Sequence, residues 1–137
     1  MSWQAYVDSS LVGSGHIDKA AIVSAAGDST WASTPGFAVG SDEMQNIIAI
    51  LDESAKDSAQ KPKTDKAFSE GLHIAGQRYV ITRIEGNHIY ARHGKEGIAI
   101  VKTKQAILVG HYGENVQAGN ATQTVEALAD YLVGSGY

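Results

Sequence analysis

The stretch YVITRIEGNHIYARHGKEGIAIVKTKQAILV, residues 79–109, decides the fold of this chain. It holds four apolar segments, at 79–84, 88–91, 98–101 and 106–109, separated by short turns rich in Gly, Asn and Lys. Short strands joined by tight turns predict an antiparallel meander. Because the last two segments are apolar on both faces, we expect other elements to cover both sides of the sheet.

The beginning of the chain predicts a helix. Trp3, Val7 and Leu11 recur every four residues, which predicts a helix over 2–12 with Ser2 as its N-cap. The first residues contain neither a basic region nor an apolar core, so we expect no signal peptide.

A hairpin and a second helix are expected next. The segments 20–25 and 30–32 lie on either side of a turn and predict paired strands. Acidic residues follow Ser41 and favour a helix start there, with apolar residues at helical spacing. The apolar face comprises Met44, Ile47, Ile48 and Leu51.

The segment 52–70 differs in composition from its surroundings. Nine of its 19 residues are charged, five acidic and four basic. We interpret it as a charged surface insertion, either a solvated loop or a short exposed helix. A binding insert is the alternative.

The sequence after the meander predicts a final helix. Its apolar residues repeat with the 3.6-residue period of an amphipathic helix, and Asn120 is its candidate N-cap. The stripe comprises Ala121, Val125, Leu128, Ala129 and Leu132. Together the elements predict an α+β fold in a single domain, residues 1–137. In this fold the terminal helices lie on one face of a central antiparallel sheet, and smaller helices lie on the opposite face.

Composition excludes several classes of protein. The 137 residues include no cysteine, which excludes a disulfide scaffold, a thiolate zinc site, an iron–sulfur cluster and a cysteine nucleophile. No apolar run approaches the roughly 20 residues that span a bilayer. We therefore expect a soluble cytoplasmic protein that is a monomer.

Charge is distributed unevenly along the chain. The net charge is −4, which gives no overall attraction to nucleic acid. Residues 1–51 hold one base and five acids, whereas residues 76–104 hold six bases and two acids. The basic part is therefore a candidate surface for an acidic partner.

The sequence contains no recognisable catalytic constellation. The five histidines form neither HxxxH nor HExxH, and there is no Gly-x-Ser-x-Gly elbow. We expect surface histidines, no metal, no cofactor and no enzymatic activity. A small α+β hydrolase with a convergent site is kept as an alternative.

Aromatic residues lie near chain ends and turns. Trp3 and Tyr6 share a helical face, Trp31 follows a turn, Tyr131 is near the end of the last helix, and Tyr137 is the final residue. These rings are either core anchors or the walls of an exposed groove. Such a groove suits polyproline II ligands, whose free carbonyls accept hydrogen bonds from indole and phenol donors.

Four separated motifs resemble the profilin family, most closely the fungal profilins. They are SWQAYVD at 2–8, AGD at 26–28 before Trp31, GLHIAGQRY at 71–79 and ALADYL at 127–132. The resemblance covers nearly the whole chain, and the charged stretch 52–70 is its main departure. It implies a profilin fold and three kinds of partner: monomeric actin, proline-rich segments of formin-like proteins, and phosphoinositide lipids.

The resemblance also implies binding residues. The poly-proline site carries over onto Trp3, Tyr6, Trp31, Tyr131 and Tyr137. Since Tyr131 stands where many animal profilins have histidine, we expect proline binding to vary little between roughly pH 5.5 and 8.

The actin face implied by the resemblance combines the later strands with the start of the last helix. It comprises Arg78, Val80, Thr82, Arg83, Arg92, Lys95, Val116, Gln117, Gly119, Thr122, Gln123 and Glu126.

The four bases of that face supply positive charge toward acidic actin, and the same four are the candidates for phosphoinositide head groups. The expected function is regulation of actin polymerisation in the cytoskeleton. An adaptor that binds proline-rich ligands with little actin activity is the alternative.

Overall fold

Seven antiparallel strands form one sheet in the computed structural model, which describes residues 3–27, 29–37, 39–55 and 62–137. The strands are β1 (Lys19–Ser24), β2 (Thr30–Ser33), β3 (Leu72–Ile74), β4 (Gln77–Glu85), β5 (His88–His93), β6 (Glu96–Lys102) and β7 (Ala106–Tyr112). They lie in the order β2-β1-β7-β6-β5-β4-β3. The predicted meander is confirmed as β4 to β7, in which each strand is longer than its apolar segment.

Helices cover both faces of this sheet. The N-terminal helix α1 begins as an α-helix (Trp3–Ala5), continues as a π-helix (Tyr6–Leu11) and ends in a 3₁₀ turn (Val12–Ser14). The other helices are α2 (Ser41–Ala55), α3 (Pro62–Glu70) and α4 (Ala118–Gly134). Helices α1 and α4 pack on one face, and α2 and α3 pack on the other. The predicted α+β layout is therefore confirmed.

Alternation along the central strands supplies both cores. In β6, Ile98 and Ile100 face α2 and α3, whereas Ala99 and Val101 face α1 and α4. This is the physical reason for the continuous apolar runs in the sequence, because a strand covered on both faces needs apolar residues at every position.

A glycine in β7 lets α4 lie close to the sheet. A Cβ atom at Gly110 would lie 2.7 Å from Cγ2 of Val125 and 3.1 Å from Cδ1 of Ile17. Because real Cβ atoms do not approach so closely, any larger residue would push α4 outward. The close approach sets the height of α4 above the strands, and α4 carries residues of both candidate sites.

One of the two predicted helix N-caps is wrong, and the other lies outside the described residues. Asn120 is not the N-cap of α4; Gln117 holds that position with an extended ψ of 131°, and its side chain makes no capping hydrogen bond. Asn120 lies inside the helix, where its carbonyl accepts a hydrogen bond from Oγ1 of Thr124. The predicted cap Ser2 lies outside the described residues.

The described residues of the segment 52–70 are helical, which agrees with the short helix and not with the solvated loop that the sequence left open. Its described parts belong to α2 and α3, and Thr64 and Ala67 of α3 are buried. The carboxylate of Glu53 accepts hydrogen bonds from the backbone N–H of Thr64 (2.7 Å) and from its hydroxyl (3.0 Å). Helix α3 is therefore tied to α2 and packs on the core. The interpretation of the segment as an insertion stays a prediction.

The expectation of surface histidines is wrong for His111. It lies in the interior strand β7 and is 3% exposed. Its Nδ1 lies 2.5 Å from Oδ1 of Asp18, and its Nε2 lies 3.4 Å from Oε1 of Glu96. The rings of Phe37 and Tyr79 pack against the imidazole and cover it, and the two carboxylates lie beside its ring nitrogens.

Tyr79 links the stability of this region to alkaline pH. Burial, followed by the nearby charges of Glu96 and Asp18, raises the pKa of Tyr79 from 10.0 to about 12. The unfolded chain therefore loses this proton before the folded chain does, so the free energy of unfolding falls as pH rises from 10 to 12.

Replacing Tyr79 by Phe should remove this pH dependence. Between pH 9 and 11, we expect the free energy of unfolding of Tyr79→Phe to fall by about 1 kcal/mol less than that of the unchanged chain. Urea unfolding at the two pH values measures the difference. Equal losses in both proteins would contradict the account.

Candidate functional site

Five aromatic rings from four parts of the chain meet at one end of the molecule. We call Trp3, Tyr6, Trp31, Tyr131 and Tyr137 the aromatic cluster. The centroid of Trp3 lies 4.7 Å from that of Trp31, 5.1 Å from that of Tyr137 and 5.7 Å from that of Tyr6. Tyr6 and Tyr131 are 6.1 Å apart. The structure therefore brings together all five residues predicted for the poly-proline site.

The cluster is open to solvent on one side. Trp3, Tyr6 and Trp31 are half-buried against the core beneath α1 and α4, whereas Tyr131 is 57% exposed and Tyr137 is 43% exposed. Rings that served only to anchor the core would be covered by neighbouring residues. The arrangement is instead an apolar surface whose inner wall is rigid.

Polar groups hold this surface in place and provide hydrogen-bonding atoms on it. Nε2 of Gln4 donates to the backbone oxygen of Ser33 (3.0 Å), which ties α1 to the strand that carries Trp31. Burial raises the pKa of Tyr6, and a hydrogen bond with Tyr131 raises it further. A tyrosine hydroxyl is protonated near neutral pH, so that of Tyr6 can donate or accept a hydrogen bond there.

A second site is a groove of about 440 Å³ between the strands and the first half of α4. Its walls come from β4, β5 and β7 on one side and from α4 on the other. We call it the basic groove. Its lining residues are Thr82, Arg83, Tyr90, Arg92, Tyr112, Ala118, Gly119, Thr122, Gln123 and Glu126. Seven of these ten were predicted for the actin face.

Two aromatic residues of the groove were missed. Tyr90 alternates in β5 with the buried Ile89 and Ala91, and Tyr112 ends β7. The period-two alternation of β5 was a signal that Tyr90 faces the opposite side of the sheet from its neighbours.

The remaining predicted residues of the actin face lie around the groove or away from it. Val80 is exposed beside Arg92, with which it pairs across β4 and β5. Val116 and Gln117 form the segment that leads into α4. Arg78 and Lys95 lie outside the groove. Nε of Arg78 donates to the backbone oxygen of Glu70 (2.7 Å) at the end of α3, and Lys95 is exposed in the turn between β5 and β6.

Charges inside the basic groove are partly paired. The hydrogen bond and charge of Glu85 raise the pKa of Arg83, whose guanidinium carbon also lies 5.2 Å from the Tyr90 ring centre. The hydroxyl of Tyr90 donates to Oε1 of Glu126 (2.5 Å); burial and then this bond raise the pKa of Tyr90. Within the described part of the chain, no carboxylate lies within ion-pair distance of Arg92. It is therefore the groove cation most available to an acidic partner.

Neither a metal cluster nor a membrane-spanning helix is found among the described residues. No three His, Asp or Glu side chains there are placed to hold an ion. None of the helices described is long and apolar enough to cross a bilayer.

Comparisons with known proteins identify the family of this chain. The family model named Profilin matches residues 1–137. Profilin of Schizosaccharomyces pombe is 50% identical over the full length of both chains. A crystal structure of that profilin superimposes with a TM-score of 0.87 at 49% identity, covering 99% of this chain and 100% of its own.

A more distant structure shares the fold. Mouse profilin IIa, solved in complex with a double repeat from the FH1 domain of mDia1, has a TM-score of 0.75 at 22% identity and full coverage of both chains. Profilins bind actin and proline-rich ligands and are not enzymes, so the hydrolase alternative is wrong. The family model and the whole-length identity confirm the resemblance seen in the sequence: this chain belongs to the profilin family.

Proposed function

We propose that this chain binds proline-rich segments of formin-like proteins through the aromatic cluster and monomeric actin through the basic groove. By doing so it regulates actin polymerisation in the cytoplasm. The observation that carries the proposal is the aromatic cluster itself: five rings from four chain segments form one surface, and two of them are largely exposed.

The chemistry of the cluster suits an extended proline-rich ligand. Polyproline II has an apolar surface, no internal hydrogen bonds and free carbonyl groups. Flat rings at centroid distances of 4.7–6.1 Å offer apolar contact, while indole N–H and phenol O–H groups are the donors that such carbonyls need. The ligand also loses little conformational entropy because it is already extended. The FH1-bound mouse profilin IIa, which has this fold, supports the choice of ligand.

The basic groove supports binding of an acidic protein surface. Arg83 and Arg92 lie in it with the hydrogen-bonding side chains of Thr122 and Gln123. Positive charge opposite an acidic surface speeds encounter and selects the correct orientation.

The two surfaces use different parts of α4. Thr122, Gln123 and Glu126 line the basic groove, whereas Tyr131 belongs to the aromatic cluster. At 100° and 1.5 Å per residue, Tyr131 points about 180° away from Thr122, about 140° from Glu126 and about 80° from Gln123, and it lies about 7.5 Å or more further along the helix axis. A proline-rich ligand and actin can therefore be bound at the same time, and the bound actin can then be delivered to a growing filament. The adaptor alternative differs in one respect: it predicts proline binding without any effect on actin assembly.

The aromatic cluster is tested by titration with poly-L-proline. Both tryptophans lie in the cluster, so intrinsic fluorescence should change in a saturable way. We expect Tyr131→Ala to weaken binding about fivefold, since one ring contact is worth roughly 1 kcal/mol. Trp3→Ala should remove the saturable change.

The affinity for poly-L-proline should be nearly constant from about pH 5.5 to 8 because no histidine belongs to the cluster.

Phe68→Ala is the matched control for the aromatic cluster. Phe68 is 44% exposed but lies on α3, on the opposite face of the sheet. The Phe68→Ala variant should bind poly-L-proline with the same affinity as the unchanged chain. A steep transition near pH 6.5, or equal affinity in all variants, would count against the cluster as the site.

The basic groove is tested by charge reversal. Replacing Arg83 and Arg92 together by Glu should weaken actin binding at least tenfold, or about 1.4 kcal/mol. The control is Lys19→Glu with Lys66→Glu, which changes the net charge equally at exposed positions outside the groove. Sedimentation equilibrium with monomeric actin gives both affinities. The groove is not the actin site if the two double variants bind alike.

Phosphoinositide binding is proposed for the same bases, Arg78, Arg83, Arg92 and Lys95. We expect the protein to co-sediment with vesicles that contain phosphatidylinositol bisphosphate. A smaller fraction of the Arg83→Glu and Arg92→Glu double variant should co-sediment with the same vesicles. Vesicles of neutral lipid are the control. Absence of co-sedimentation at physiological salt would remove this part of the proposal.

A further inference from the structure

The backbone at Tyr137 is held on its N–H side by the end of α4. Its N–H donates to the backbone oxygen of Leu132 (2.8 Å), and the N–H of Gly136 donates to that of Val133 (3.1 Å). Gly136 has a φ of 96°, in the left-handed region that favours glycine. This pair of bonds is a Schellman motif, which turns the chain back at the end of a helix.

The same residue is held on its oxygen side by the turn between β6 and β7. The backbone oxygen of Tyr137 accepts hydrogen bonds from the N–H of Gln105 (2.5 Å) and from Oγ1 of Thr103 (2.8 Å). The side-chain amide of Gln105 donates to the backbone oxygen of Gly136 (3.1 Å). Thr103 is buried, so its bond is shielded from competing water.

These contacts decide where the Tyr137 ring lies. With its backbone fixed, the ring stands edge-on to Trp3, at 5.1 Å and 87° between planes. A ring that is already in place costs less ordering entropy when a ligand binds.

We propose that Thr103 and Gln105 are positioning residues for the proline-rich ligand, which they influence by fixing Tyr137 beside Trp3. They belong to neither surface described above, and they act from a turn that is 32 or more residues distant in sequence from Tyr137. The inference rests on the proposed function of the aromatic cluster.

Two variants loosen this attachment without touching a ring. The double variant Thr103→Val with Gln105→Ala removes the hydroxyl bond to Tyr137 and the amide bond to Gly136, and Gly136→Ala strains the left-handed position that starts the turn. Each should weaken poly-L-proline binding about fivefold, equivalent to about 1 kcal/mol. Gln45→Ala is the matched control, because its amide donates to the backbone oxygen of Gly27 on the other side of the molecule; it should bind normally.

A double-mutant cycle separates positioning from general destabilisation. In a Tyr137→Ala background, the Thr103→Val and Gln105→Ala double variant should have no further effect on affinity, because the ring that these residues position is gone. An equal loss in both backgrounds, or unchanged affinity in the double variant and in Gly136→Ala, would overturn the proposal.

Motion of Tyr137 in the ligand-free protein tests the attachment independently of any ligand. We expect the NMR order parameter of its backbone amide to fall below about 0.6 in the Thr103→Val and Gln105→Ala double variant and to stay near 0.85 in the unchanged chain. Unchanged values would refute the attachment. If the unchanged chain fails to bind poly-L-proline, the proposed function fails, and a fall in the order parameter still supports Thr103 and Gln105 as the residues that hold Tyr137.

Discussion

The packing of α1 and α4 side by side on one face of the sheet is the constraint on which the rest depends. Val7 and Leu11 of α1 and Val125 and Leu132 of α4 are buried in the same apolar layer. Gly110 allows α4 to approach the strands closely enough for this layer to close. Burying such side chains is worth roughly 1.5–3 kcal/mol each, so the two helices have little freedom to shift. Their exposed edges then meet, and the aromatic cluster forms where they meet.

Helix α4 contributes residues to both candidate sites and joins them through one continuous helix. Its first half borders the basic groove through Thr122 and Glu126, and its last turn carries Tyr131. Because the buried stripe between them is rigid, each ligand meets a surface that is already formed. A scaffold of this kind suits a protein that must hold two partners together without reacting with either.

The sequence predicted the sheet and helices well because their apolar periodicity is long and regular. It missed β3, since the three residues Leu72–Ile74 are too few to show a period. Asn120 was chosen as the N-cap by residue type, whereas α4 begins at a Gln117 whose backbone conformation alone starts the helix. The burial of His111 and the contacts of Thr103 with Tyr137 depend on pairings across the sheet, which local patterns do not contain. The five rings of the aromatic cluster stood out in the sequence by their placement near chain ends and turns, and the family resemblance assigned them to one poly-proline site.

The independence of the two surfaces is tested most directly by measuring the affinity for monomeric actin with and without saturating poly-L-proline. Two separate surfaces on different parts of α4 predict a ternary complex, with the dissociation constant for actin unchanged within about twofold. Loss of actin binding by tenfold or more when poly-L-proline is bound would mean that the two ligands compete. In that case the aromatic cluster and the basic groove would not be independent sites.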